Sequence, residues 1–142
     1  EAVVTEVTAG SGLYAPTLFD AYGHFQHLPA AGFALEVVRQ PKADVYTCLG
    51  GGYVASGAIG PDKAPQPYLP KGCQLLPLEG AGEVQTPIRY QGAQALAVGD
   101  PIFMRHAKAG ELCERFEVLQ TIAGGQLGAP LRTYSGMGQC FL

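Results

Sequence analysis

The sequence has few charged residues and no long apolar run, and both deficits exclude classes of function. Asp, Glu, Lys and Arg make up 15% of the 142 residues, against roughly 25% in an average domain. The 9 basic and 12 acidic residues give a formal net charge of −3, which argues against a nucleic-acid-binding surface. No apolar stretch approaches the roughly 18 residues that a membrane-spanning helix needs. We therefore expect neither a nucleic acid nor a membrane among its partners.

The start of the sequence lacks the features of a secretory leader, and the cysteines lack the spacing of a metal or redox motif. The first ten residues, EAVVTEVTAG, contain no basic segment, no apolar core and no initiator methionine. They predict a chain that begins at an internal cut, natural or engineered. Cys48, Cys73, Cys113 and Cys140 form no C-x-x-C pair. The pattern favours free thiols in a reducing cytoplasm, although four cysteines also allow two disulfides.

Glycine and proline are abundant, which predicts a mostly β fold with many turns. The 20 Gly and 11 Pro disfavour long helices, while a hydrophobic content of 47% is enough to build a core. Short strand patterns between turns indicate a compact barrel or sandwich. The predicted strands are residues 3–8, 33–39, 45–49, 83–90, 102–105 and 118–122.

Several local patterns refine this prediction. The sequence PKAD after residue 40 and Gly124-Gly125 indicate hairpin turns. Pro87 predicts that 83–90 is an edge strand, because proline cannot donate a ladder hydrogen bond. Residues 50–70 contain four prolines and predict a long irregular loop, and 109–116 is the one plausible helix.

Polar chemistry concentrates around His106. Glu111 and Cys113 follow it closely, and imidazole, carboxylate and thiolate all bind Zn²⁺ or a related ion. This spacing is not an established ligand pattern, and Arg105 and Lys108 place positive charge where a cation would bind. A histidine bonded to the backbone beside solvated glutamates therefore remains an open alternative.

Gly10-Ser11-Gly12 follows the first predicted strand. Successive backbone N–H groups in such a turn can form a concave site for a phosphate. A lone Gly-Ser-Gly sequence also fits a simple turn, so the residues alone leave both interpretations open.

Six stretches add information when they are considered together. They are TEVTAGSGLY, CLGGGYVASG, PYLPKG, PLEGAGEVQTP, VGDPIFMRHAKAGELCERF and TYSGMGQCFL. In this order they resemble the C-terminal part of the D-threonine aldolase/D-serine dehydratase-like family, and in particular its bacterial amino acid deaminase/aldolase members. The resemblance covers nearly the whole chain, and HAKAGELCERF is its most specific part. It implies a fold-type III pyridoxal-phosphate enzyme of the alanine racemase type.

The resemblance implies an N-terminal TIM-like barrel that carries the cofactor lysine and a C-terminal β-barrel-like domain that completes the site. Residues 1–29 would be the end of that barrel, including its last strand, and the connection; 30–142 would be the β-domain. The cofactor lysine would lie upstream of Glu1. The phosphate would meet a set of four residues near the start of the chain: Gly10, Ser11, Gly12 and Tyr14. The implied partners are an N-terminal barrel chain or fragment, a second copy in a homodimer, and a small D-amino acid.

The family's metal site is a His-x-Cys or His-x-Asp pair that holds Zn²⁺ or Mn²⁺ near the substrate hydroxyl. His106 occupies its first position, but Lys108 occupies the second. Three outcomes are consistent with this departure: no metal, a metal bound by His106 with Glu111 or Cys113, or Lys108 in place of the cation. In the third case His106 and Lys108 are the catalytic residues in this chain, and both face the substrate.

The implied reaction is lyase chemistry on a β-hydroxy D-amino acid. Aldol cleavage and dehydration with loss of ammonia both fit, and racemisation remains open if no group acts on the hydroxyl. The alternative to an enzymatic function is a non-catalytic β-domain that serves dimerisation or partner binding.

Overall fold

The computed structural model describes residues 3–58 and 60–139, and its centre is a six-stranded antiparallel sheet. The spatial order of the strands is β3-β6-β1-β2-β5-β4. The outer strands β3 and β4 contact each other, so the sheet is a nearly closed barrel. The mostly β, barrel-like fold predicted from composition is therefore confirmed. The strands are β1 (Phe33–Lys42), β2 (Val45–Leu49), β3 (Gln66–Leu69), β4 (Gln74–Leu75), β5 (Gln85–Arg89) and β6 (Pro101–Arg105).

The elements outside this sheet are short. Strands β7 (Val118–Ala123) and β8 (Gln126–Arg132) form a separate two-stranded hairpin. Helix α1 (Gly110–Arg115) lies where a helix was predicted, and 3₁₀ turns span Ser11–Tyr14, Thr17–Phe19 and Pro61–Lys63. In the described part of the chain, no helix has the length and apolarity to span a membrane.

Strand β1 shows why the sheet has one apolar face. Phe33, Leu35 and Val37 are buried, whereas the alternate residues Ala34 and Glu36 are exposed. Successive side chains of a strand point to opposite faces, so this alternation turns one face toward the barrel interior. The core that results contains Phe33, Leu35, Val37, Tyr46, Cys48, Ile88, Tyr90, Ile102, Met104 and Leu112.

Both predicted hairpins are confirmed. β1 and β2 pair antiparallel across the turn after Lys42, and β7 pairs with β8 across Gly124-Gly125. Both of these glycines have positive φ angles, +57° and +76°, and residues other than glycine rarely adopt such angles.

The prediction that β5 is an edge strand is wrong, because β5 lies between β2 and β4. The amide of Tyr90 bonds to the carbonyl of Asp44 at 2.9 Å, so the alternation of the ladder directs the nitrogen of Pro87 toward the β4 side. β4 pairs only with Ile88 and Arg89 and ends before Pro87. The missing N–H therefore removes no ladder bond.

The strand predicted for residues 3–8 is not formed in this structure. Val3, Val4 and Val7 are between 78% and 87% exposed and belong to no strand. A strand needs a hydrogen-bonded neighbour, and no strand of the six-stranded sheet pairs with this segment. The assignment of this segment to a TIM-like barrel stays a prediction.

Residues 50–65 are mostly irregular, as predicted for this proline-rich region. Residues 66–69 are the exception within the range 50–70, since they form β3 and include Pro67. β3 is at an edge of the sheet order, where a strand tolerates proline.

Candidate functional site

Two distant stretches of the chain meet at the end of β6. The amide of Thr17 donates to the carbonyl of His106 at 3.0 Å, and the amide of Leu18 donates to that of Ala107 at 3.2 Å. We call residues 11–22 the N-terminal segment. It packs against residues 105–107, so hydrogen bonds cross the domain boundary predicted at residue 29, and the division itself stays a prediction.

Arg105, the last residue of β6, binds the N-terminal segment through its guanidinium group. Nη1 and Nη2 donate to the two carboxylate oxygens of Asp20 at 2.7 and 2.8 Å, and Nη2 also donates to the carbonyl of Ala15 at 3.0 Å. The arginine side chain is 13% exposed and the Asp20 side chain 49%. A two-point contact of this kind fixes the angle as well as the distance between the groups.

Three predicted site residues lie together beside this contact: Tyr14, His106 and Cys113. The Tyr14 and His106 rings meet edge to face with centroids 6.4 Å apart. The Cys113 thiol and the Tyr14 hydroxyl are hydrogen-bonded to each other, with Sγ and Oη 3.5 Å apart. The Cys113 contact, and secondly burial, raise the pKa of Tyr14 above its ordinary value. Tyr14 is therefore a neutral phenol at neutral pH.

His106 is fully buried, and neither ring nitrogen has a hydrogen-bond partner among the described residues. Burial, and secondly the charge of Arg105, lower the pKa of His106 to about 4. The backbone of Ala31 acts weakly in the opposite direction, although it does not meet hydrogen-bond geometry with the ring. The alternative in which this histidine bonds to the backbone is therefore not observed, and the ring is neutral at physiological pH.

Glu111 is buried rather than solvated, which corrects one of the alternatives above. Its Oε1 accepts the amides of Ala107 and Lys108 at 3.0 and 2.9 Å, and the residue is 7% exposed. Both amides belong to the turn before α1, whose N-cap residue Ala109 has no side-chain capping bond, so the carboxylate satisfies two donors of the turn rather than of the helix. Glu111 thereby fixes the turn between β6 and α1.

The proposed ligand set His106, Glu111 and Cys113 does not form a metal site in this structure. Within 3–58 and 60–139 no three His, Cys, Asp or Glu residues lie close enough together to hold an ion. The Glu111 carboxylate is occupied by two backbone amides, and the Cys113 thiol contacts Tyr14. These donors do not fit a divalent metal as they are arranged here, and we derive no chemical step through one.

The ammonium of Lys108 belongs to a different environment from the His106 ring. Nζ donates to the carbonyl of Ser56 at 2.7 Å, in the irregular region before β3. Lys63 and, more weakly, Lys108 lower the pKa of Asp62 nearby. Lys108 is half-buried whereas His106 is fully buried, so the prediction that both face one substrate pocket has no direct geometric support and stays a prediction.

Gly10, Ser11 and Gly12 lie at the surface, at the start of the first 3₁₀ turn. No heavy atom lies within 4 Å of the position that a Cβ would take at Gly10 or Gly12. The amide of Leu13 bonds back to the carbonyl of Gly10 at 3.0 Å. The turn is thus open to an approaching group, and its contact with a phosphate stays a prediction.

A cleft of about 890 Å³ lies beside Tyr14. Strands β1, β3 and β6 form one wall, and the β7–β8 hairpin with Tyr14 forms the other. Its lining is mostly apolar, with two arginines, Arg105 and Arg132, and no acidic side chain. The apolar lining includes Leu13, Ala34, Phe103, Phe116, Leu119 and Leu131.

Sequence reasoning missed the cleft and the role of Arg105. Phe103 is 43% exposed although it lies between buried Ile102 and Met104, so an outward-facing aromatic in β6 was a usable signal for the cleft. The contact between Arg105 and Asp20 spans 85 residues, and no local pattern indicates it. The chain matches no family model, no curated protein and no solved structure with which it was compared.

Proposed function

We propose that this chain is the C-terminal portion of a pyridoxal-phosphate-dependent lyase that acts on β-hydroxy D-amino acids. The observation that supports this most is the meeting of Tyr14 with His106 and Cys113. The resemblance implies that Tyr14 meets the cofactor phosphate and that His106 faces the substrate, and Cys113 was an alternative metal ligand beside His106. Their proximity in the fold supports a shared site.

The exposed apolar surface of the chain is consistent with a missing companion. Val3, Val4, Val7 and Leu13 are more than 70% exposed in the N-terminal part. Ile122, Leu127 and Leu131 of the β7–β8 hairpin are 59% to 74% exposed. Apolar patches of this kind mark surfaces that another protein covers. In the proposal, the N-terminal barrel chain or fragment covers the first patch and carries the cofactor lysine.

The residues present fit one end of the cofactor. The open backbone at Gly10, Ser11 and Gly12 would hold its phosphate, because a side chain at Gly10 or Gly12 would occupy space that is now free. Tyr14, whose pKa is raised above its ordinary value, is protonated at neutral pH and would donate a hydrogen bond to a phosphate oxygen. When bound, the cofactor supplies an electron sink that weakens bonds at the substrate α-carbon.

In this proposal the ammonium of Lys108 supplies the positive charge that the bound metal ion supplies in the family. Its ammonium is half-buried and held by the Ser56 carbonyl, so it is partly desolvated and restrained, as a group that orients a substrate hydroxyl must be. In the proposal His106 would give the substrate a neutral polar contact; because its ring is fully buried and its nitrogens have no partner among the described residues, this contact requires a rearrangement around residue 106.

The experiment that tests the proposal uses the chain together with the protein that copurifies with it. The complex is given pyridoxal phosphate and assayed with D-threonine and D-serine, with the L-enantiomers as controls. We expect cofactor absorbance on the complex and turnover of one D-amino acid only when the companion is present. Stable binding of a companion that carries no cofactor, without turnover, would contradict the lyase.

Lys108→Ala and Lys63→Ala form a matched pair in that assay, because both side chains end beside Gly57 in the irregular region before β3. Loss of Lys108 should lower turnover by about 10²-fold, the usual scale for one positioned acid. Loss of Lys63, which pairs with Asp62, should leave turnover nearly unchanged. Equal effects of the two substitutions would remove Lys108 from the mechanism.

The alternative function is a non-catalytic β-domain for dimerisation or partner binding. The exposed hairpin favours it, since a two-stranded hairpin is only marginally stable alone and its apolar side chains lack a cover in this chain. A folded homodimer that binds no pyridoxal phosphate in any complex would favour this function over the lyase.

A further inference from the structure

We propose that Arg105 is a positioning residue that holds Tyr14 in the site through Asp20 and Ala15. The contacts of Arg105 and their effect on the orientation of Tyr14 are properties of the folded chain, whereas a role of Arg105 in catalysis rests on the proposed function. Arg105 touches neither His106 nor Cys113 through its guanidinium contacts. It acts on Tyr14 through the backbone that follows it.

The guanidinium group spans two points of the N-terminal segment. The Nη1 and Nη2 edge of the planar guanidinium donates to both carboxylate oxygens of Asp20, and Nη2 also donates to the carbonyl of Ala15. Asp20 and Ala15 lie five residues apart and flank the second 3₁₀ turn, Thr17–Phe19. Arg105 therefore fixes the two ends of this turn relative to each other and to β6.

Ala15 directly follows Tyr14 and has an unusual backbone conformation. Its φ of +50° lies in the left-handed region, and the residue is 2% exposed. A residue with a Cβ rarely holds this conformation unless its surroundings impose it. The bond from Arg105 to the Ala15 carbonyl is one such restraint. Without this bond, the backbone at Ala15 is freer to leave its left-handed conformation, and the orientation of Tyr14 relative to residues 16–22 is no longer fixed.

The contacts on either side of Ala15 differ in strength. After it, the amides of Thr17 and Leu18 bond to the backbone of residues 106 and 107. Before it, the backbone of Tyr14 is held by the 3₁₀ turn that the Ala15 amide closes on the Gly12 carbonyl at 3.2 Å, and the side chain of Tyr14 is held by the weak bond with the Cys113 thiol and by its edge-to-face contact with His106. Loss of Arg105 should therefore release Tyr14 from Cys113 while the barrel core stays intact.

The first experiment measures the reactivity of individual thiols in the full chain. The protein is treated with N-ethylmaleimide, and labelling of each cysteine peptide is followed by mass spectrometry. In Arg105→Ala we expect Cys113 to be labelled about tenfold faster. This scale follows from the loss of the Arg105 hydrogen bonds to Asp20 and Ala15, whose contribution is limited because the Asp20 carboxylate is half exposed. Cys48 provides the internal reference, because it is fully buried and burial raises the pKa of its thiol to about 11.

Three further variants make the test specific. Asp20→Asn removes the carboxylate charge at a half-exposed position and should raise Cys113 labelling in the same direction. Arg105→Lys keeps the charge but lacks the planar fork, so it should restore protection only in part. Arg89→Ala is the matched control, since it breaks the exposed Arg89–Asp44 pair, 3.6 Å apart, on the other side of the sheet order.

A selective rise at Cys113 in Arg105→Ala and Asp20→Asn, with Cys48 unchanged, supports the proposal. Unchanged Cys113 labelling overturns it. A parallel rise at Cys48 and Cys113 also overturns it, because that result would mean a general loosening of the fold.

A spectroscopic measurement follows Tyr14 itself. The chain is produced with 3-fluorotyrosine, and the ¹⁹F resonance of Tyr14 is assigned by its loss in Tyr14→Phe. In Arg105→Ala the Tyr14 resonance should move while those of the core residues Tyr46 and Tyr90 keep their positions. An unmoved Tyr14 resonance overturns the positioning role. Both measurements are independent of the cofactor, so failure of the proposed lyase function would leave their outcome intact.

Discussion

At the scale of single residues, His106 is the clearest example of a side chain whose state depends on its surroundings. Its ring is fully buried without a hydrogen-bond partner among the described residues, and its pKa falls from 6.5 to about 4. The sequence predicted that His106 matters but not how. A histidine after an apolar run is compatible with a ligand, a surface residue or a core residue, and only tertiary packing decides between them.

The low pKa of His106 predicts a loss of stability in mild acid. Between about pH 6.5 and about pH 4 the unfolded chain binds a proton at this position and the folded chain does not. Stability is therefore fully present above pH 6.5 and falls as the pH drops toward 4, by up to about 3 kcal/mol. Urea unfolding at pH 7 and pH 5 measures this change.

The controls for this prediction are His106→Gln, which cannot take up a proton, and His27→Gln at an exposed position. His106→Gln should flatten the pH dependence between 7 and 5, whereas His27→Gln should keep it. The same slope in all three proteins would show that other groups cause the acid sensitivity.

At the scale of elements, the sequence predicted what depends on local pattern and missed what depends on pairing. The β1–β2 hairpin follows from alternating side chains and a turn, so its strands were located within a few residues. The interior place of β5 could not be predicted, because it depends on β4, which contributes only Gln74 and Leu75. The same holds for the site: the resemblance indicated Tyr14 and His106 separately, while their contact requires the N-terminal segment to dock on β6.

Helix α1 gives a prediction at this scale, because Glu111 joins it to the preceding turn. Glu111→Ala leaves the amides of Ala107 and Lys108 without their acceptor and should destabilise the fold by about 1–3 kcal/mol. Glu111→Gln keeps one oxygen acceptor and should cost less. Glu114→Ala, exposed on the same helix, should change stability by no more than about 0.5 kcal/mol.

Thermal unfolding of the three variants checks this prediction. Equal stability of Glu111→Ala and Glu114→Ala would show that the carboxylate does not support the turn.

At the scale of the whole molecule, the interior of the barrel is well packed, whereas the segments outside the barrel leave many apolar side chains exposed. The core residues of the six strands are nearly all inaccessible, yet the N-terminal part and the β7–β8 hairpin expose several large apolar side chains. The low share of charged residues, 15% of the sequence, is consistent with such a surface. It could not indicate where the surface lies, because that depends on which face of each strand the barrel uses.

The hairpin surface should bind another protein chain, either the companion or a second copy. Ile122→Ser and Leu131→Ser should weaken association without changing the stability of the isolated chain by more than about 0.5 kcal/mol, since both side chains are already exposed. Leu78→Ser, at a fully exposed leucine outside the hairpin, is the control. Sedimentation analysis measures the association, and unchanged assembly in both hairpin variants would contradict the prediction.

The order of strands in the sheet has a consequence for how the chain is made. β6 lies between β3 and β1, although it is the last of the six strands in the sequence. During synthesis β1 can pair with β2, and β5 can later pair with β2 and β4, but one edge of β1 and one edge of β3 wait for residues 101–105. Pairings between distant segments form slowly because the intervening loops must first close. The nascent chain therefore carries two open strand edges until most of it has left the ribosome, and that interval is when it is most exposed to aggregation.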